Sequence, residues 1–98
     1  MTEDEKGYNG WTNYETWAVK LWMDNDEGSQ EFYLELTEAH VKACGEGKAA
    51  YSLSGEIKEE IRANGPDLGA SMYADLLGSA LDNVNWREIA ESLIEGME

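Results

Sequence analysis

Apolar positions recur every three to four residues along most of the chain. Tyr14, Trp17, Ala18, Leu21 and Trp22 fall at i, i+3, i+4, i+7 and i+8, which is one face of a helix. Thr12 and Glu15 stand at capping-box spacing before it, and the run Asp24-Asn25-Asp26-Glu27-Gly28 has the turn chemistry that ends it. A second helix is expected over 29–43, burying Phe32, Leu36, Ala39 and His40 with Val41 and Ala43 alongside, and stopped by Gly45 and Gly47. A third, over 49–63, places Ala50, Leu53, Ile57 and Ile61 on one face and ends at Asn64-Gly65-Pro66. Gly55 weakens that helix by ~1 kcal/mol relative to alanine.

Two further helices complete the pattern. Tyr73, Leu76, Leu77, Ala80, Leu81 and Val84 keep the spacing over 69–82 and just beyond. Asn85 then caps a fifth helix, with Glu88 as its box partner and Trp86, Ile89, Ala90, Leu93, Ile94 and Met97 as the buried stripe. Alternating strand patterns are missing and no internal repeat occurs. The expectation is an all-α chain: a compact bundle of about five short helices over 8–98, preceded by a disordered acidic tail over 1–7.

Charge changes this picture most. The 98 residues carry 21 acids against 7 bases, a formal net of −14, or one uncompensated negative charge per seven residues. A magnitude of about 2–8 is enough to keep a small domain soluble, and self-repulsion at this level opposes compaction. Direct contact with nucleic acid or an anionic membrane is disfavoured, because both attract Lys and Arg. A basic protein surface is the natural partner. Cys44 is alone, so an intramolecular disulfide is excluded, and the polar, acidic start Met1-Thr2-Glu3-Asp4-Glu5-Lys6 is unlike a signal peptide. Cytoplasmic residence is expected.

The acids are ordered. Glu27, Glu31, Glu35 and Glu38 follow i, i+4, i+8 and i+11 along one face of the second helix, and between Asp24 and Glu38 there are six acids and no base. Glu88, Glu91, Glu95 and Glu98 repeat the motif on the last helix, with no base after Arg87. Steps of roughly 5–6 Å between neighbours, at 1.5 Å per residue, make such rows usable imitations of a phosphate strand. A halophile's coat would spread acids evenly, whereas Lys42, Lys48, Lys58 and Arg62 leave the third helix nearly balanced. Aromatics are the second excess. Tyr8 and Trp11 precede the first helix and Tyr33 falls off the second helix's stripe, so Trp11 and Tyr33 are candidate exposed anchors.

Catalytic and metal chemistry find little support. Asp24-x-Asp26, with Glu35 at the twelfth position, opens like a helix-loop-helix calcium site, but Gly28 stands at position five and Ser29 where glycine is required. His40 and Cys44, at i and i+4, lack an orienting third group. One histidine with one cysteine is too few for zinc, and Gly45-Glu46-Gly47-Lys48 is too short for a phosphate loop. No enzyme activity, cofactor or metal is expected.

The segments Asn9-Gly10-Trp11-Thr12-Asn13-Tyr14-Glu15-Thr16-Trp17, Leu21-Trp22-x-Asp24-Asn25-Asp26-Glu27-Gly28, Met72-Tyr73-Ala74-Asp75-Leu76-Leu77 and Val84-Asn85-Trp86-Arg87-Glu88-Ile89-Ala90 resemble the signature of small acidic proteins of bacteriophages, plasmids and archaea. By type, the chain is similar to nucleic-acid mimics, the anti-CRISPR and anti-restriction inhibitors that fill the basic groove of a host defence enzyme. That resemblance implies a basic host complex as partner and the glutamates Glu27, Glu31, Glu35, Glu38, Glu88, Glu91 and Glu95 as phosphate surrogates. The alternative is a non-catalytic interaction module that uses its aromatic N-terminal third, with acidity serving solubility.

Overall fold

The computed structural model describes residues 8–97, so the tail expected over 1–7 lies outside the described residues. Five helices follow one another: α1 Tyr14–Asn25, α2 Glu27–Cys44, α3 Glu46–Ala63, α4 Met72–Asp82 and α5 Trp86–Gly96. No strand occurs among the described residues. An isolated bridge pairs Tyr8 with Trp11 across Asn9 and Gly10. Both central residues have positive φ (47° and 88°), the backbone of the tight turn that Asn-Gly favours.

The first three helices are joined by single residues. Asp26 ends α1 and caps α2, its side chain accepting from the Ser29 N–H at 3.1 Å and the Ser29 hydroxyl at 2.7 Å. The Gln30 side-chain amide also donates back to the Asp24 carbonyl. Gly45 ends α2 at φ 80° and ψ 158°, a region open essentially to glycine alone, and begins α3. The α3–α4 connection is longer, and Ser71 caps α4 through the Ala74 N–H.

The core lies among α2, α3 and α5, with α1 laid across α2 and α5. Ala49, Ala50, Leu53 and Ile57 supply the α3 face, and Trp86, Ile89, Ala90 and Ile94 the α5 face. The alanines let the helix axes approach closely, while Leu53, Ile57 and Ile89 fill the centre with full burial. Both faces match the periodicity. Helix α4 buries none of its residues and is tied to α3 through Arg62 and Asp82 at 3.1 Å.

Three faces differ from expectation, the first being that of α4, whose apolar stripe leaves Tyr73 and Leu76 exposed. On α2 the buried residues are Tyr33 and Thr37, with Leu36, His40 and Val41 half-buried, while Phe32 and Ala39 are exposed. The face is turned by one residue, about 100°. Tyr33 is therefore a core residue, 8% exposed, and not a surface anchor. Trp11 likewise packs against the core, drawn in by the turn that precedes α1. On α1 the face is largely inverted: Thr16 and Met23 are buried and Trp17 and Ala18 half-buried, whereas Tyr14, Leu21 and Trp22 are exposed, Trp22 by 74%.

Candidate functional site

The reason for that inversion is a polar clasp between the N-terminal ends of α1 and α5. Asn13, not Thr12, caps α1: its Oδ1 accepts from the Thr16 N–H at 2.9 Å and the Thr16 hydroxyl at 2.6 Å. The same Thr16 oxygen accepts from the Asn85 N–H at 2.9 Å, across 69 residues of sequence. The Asn13 amide donates to the Asn83 carbonyl at 2.7 Å, and the Asn85 amide donates to the Thr12 hydroxyl at 3.2 Å. Asn85 caps α5 as expected, through the Glu88 N–H at 3.1 Å. Glu88 does not close a box onto Asn85; its Oε1 accepts from the Thr12 N–H at 3.0 Å. Thr16 must face inward to hold this network, and it carries the α1 aromatics outward.

Those aromatics form a surface. The Asn9-Gly10 turn folds Tyr8 back over α1, with ring centroids 5.3 Å from Tyr14 and 4.9 Å from Trp17, and Tyr14 lies 5.7 Å from Trp17. Leu21 and Trp22 continue the stripe. Beside Trp22 lies an open trough of about 320 Å³, lined by Ala18, Val19, Met23, Ser29, Tyr33 and Ile61 as well as Trp22 itself. Phe32, 43% exposed, sets its ring edge-on to Tyr33 at 5.0 Å. The Tyr33 hydroxyl is pushed above its ordinary value, first by burial and then by the negative charge of Glu60.

The two acidic rows fare differently. Glu27, Glu31, Glu35 and Glu38 are all exposed along α2, and no cation among the described residues lies within ion-pair distance of them. Lys20 is held by Asp24 at 2.7 Å and Arg62 by Asp82. On α5 the expected free row is interrupted. Glu88 is half-buried in the clasp, and Glu91 lies 3.4 Å from Arg87. Glu91 and Glu95 are exposed, and Glu98 lies outside the described residues.

His40 does not meet Cys44. Its Nδ1 lies 2.7 Å from the Ser52 hydroxyl and its Nε2 2.7 Å from Glu56 Oε1, bridging α2 to α3. The Cys44 thiol is 3.9 Å from Ser52 and exposed. The serine–imidazole–carboxylate order resembles a catalytic relay, but Ser52 sits well inside α3, where the backbone N–H groups are spent on the helix. In the fold this group joins α2 to α3. Among the described residues, no three of His, Cys, Asp or Glu are placed to hold a metal ion, and no helix is long and apolar enough to cross a membrane.

Fold and surface together define a class: small, acidic, all-helical proteins whose two terminal motifs are locked by a side-chain clasp and whose aromatic stripe faces outward. The chain belongs to a family of unknown function (DUF7249), whose profile matches residues 4–98. No curated protein and no solved structure matches it. The matched span includes both halves of the clasp.

Proposed function

We propose that the protein is a non-catalytic inhibitor that fills the basic nucleic-acid groove of a host defence complex, an anti-CRISPR or anti-restriction factor of bacteriophage type acting in the host cytoplasm. One observation carries the reading: four exposed glutamates, Glu27, Glu31, Glu35 and Glu38, stand in a row on α2 and none forms an ion pair among the described residues. The row spans roughly 16 Å at 1.5 Å per residue. Its charge density, about one per 5.5 Å, is lower than the one per 3.4 Å of axis on a DNA strand. Such a line engages the arginines and lysines of a groove at intervals and is not a literal phosphate copy. Glu91 and Glu95 on α5 add to the field, while Glu88 serves the clasp. Electrostatic steering makes association fast and strongly salt-dependent.

Pull-downs against CRISPR surveillance complexes and restriction enzymes test the idea, using the wild type and a variant with Glu27, Glu31, Glu35 and Glu38 changed to Lys. Capture of such a complex by the wild type alone supports mimicry. Equal capture by both discards it.

A second reading is favoured by the outward stripe of α1. Tyr14, Leu21 and Trp22 expose large apolar area along one side of α1, as an interaction face does. Here the protein is a binding module, and its acidity maintains solubility. Trp22→Ala then abolishes capture while Glu→Gln changes on α2 do not.

A further inference from the structure

The trough beside Trp22 points to one kind of occupant. Its floor, Val19, Met23, Tyr33 and Ile61, is apolar, and Trp22 rises from its edge 74% exposed. It continues past Tyr33 and Ile61 into a second depression of about 470 Å³, where Phe32 adds an aromatic wall and Asp26 and Glu60 supply acids. No lysine, arginine or histidine lines either depression.

We propose that this trough between α1, the start of α2 and the end of α3 docks a short cationic amphipathic helix of a partner protein. Bulky apolar side chains of that helix seat against Trp22 and Tyr33, and its Lys or Arg residues meet Asp26 and Glu60. The inference rests on the second reading above and gives its partner a chemistry. Charge complementarity selects the occupant: a second copy of this chain would bring a net charge of −14 against another −14. An extended peptide is disfavoured, because the trough walls are helices that offer no sheet edge, whereas a helix satisfies its own backbone and needs only an apolar groove. The acids at one end and the indole at the other set polarity as well as affinity.

The test uses the full chain and a synthetic lysine–leucine amphipathic peptide of about four helical turns, ~15 residues. A control peptide keeps every lysine and replaces leucine by serine. Indole N–H resonances and titration calorimetry report binding. The leucine peptide shifts the Trp22 indole signal and the serine peptide does not. Trp22→Ala, a change at an exposed position that leaves the core intact, weakens binding roughly tenfold or more. Glu60→Lys weakens it by repulsion. Changing Glu27, Glu31, Glu35 and Glu38 to Gln leaves the peptide bound, which separates this site from the α2 row. Equal binding of both peptides, or unchanged binding to Trp22→Ala, overturns the proposal. So does a free protein that is dimeric until Trp22 is removed, because the trough then belongs to a second copy.

Discussion

Replacing Thr16 by valine tests whether the clasp, and not packing, fixes the orientation of α1. Thr16 is fully buried, and its hydroxyl both donates to Asn13 and accepts from the Asn85 N–H. Valine keeps the volume and branching but removes both hydrogen bonds. Each bond contributes about 0.5–1.5 kcal/mol net, and stranding the part-buried Asn85 N–H adds a desolvation penalty of ~1 kcal/mol or more. The sum is about 2–4 kcal/mol. With a urea dependence of roughly 1–3 kcal/mol/M for a small domain, the unfolding midpoint falls by about 1–2 M. Thr16→Ser is the informative partner. It keeps the hydroxyl and loses one methyl, a change worth ~1 kcal/mol by analogy with Ile→Val. Urea titrations followed by far-UV circular dichroism should therefore rank the wild type first, serine next and valine last. If valine proves milder than serine, Thr16 acts as a packing residue and the clasp argument fails.

Three other outcomes follow from the structure. Gly45→Ala should cost about 1–3 kcal/mol in the same titration, all of it backbone strain because no atom lies within 4 Å of the added methyl, while Gly47→Ala inside α3 should be neutral or stabilising. Tyr33 is neutral in the fold and titrates above the ordinary 10.0, so its stabilising contribution is complete below pH 10 and is lost as pH rises from there through the raised folded value. Tyr33→Phe should flatten that alkaline decline, and a decline as steep as the wild type's would assign it to other groups. Changing Glu31, Glu35 and Glu38 to Gln should raise stability by roughly 0.2–0.5 kcal/mol per relieved like-charge pair at low salt. That gain should shrink as salt screens the row.

Much of the architecture was legible because it is local. Helix number, the Asn85 cap, the stop at Gly45 and the faces of α3 and α5 all follow from neighbours within a turn or two. The α2 acid row was legible for the same reason, since spacing alone puts its members on one side. The clasp was not, because Thr12, Asn13 and Thr16 find their partners about 70 residues away and capping rules read only a few residues ahead. Glu88 illustrates the limit: it has box spacing from Asn85, yet its carboxylate is claimed by Thr12.

The α1 face carries the larger lesson. Periodicity showed that Tyr14, Trp17, Leu21 and Trp22 share a side, and hydrophobicity alone assigned that side to the core. What reverses the assignment is the buried hydroxyl of Thr16, which has to be satisfied. Thr16 lies roughly opposite the aromatic stripe at about 100° per residue, so satisfying it through Asn13 and Asn85 leaves no inward route for the rings. Part of the roughly 1.5–3 kcal/mol that full burial of a large side chain brings is given up along the stripe, most at Trp22. Sequences abandon local consistency of this kind mainly at functional positions. The same threonine that holds α1 to α5 thus turns Trp22 outward beside the trough.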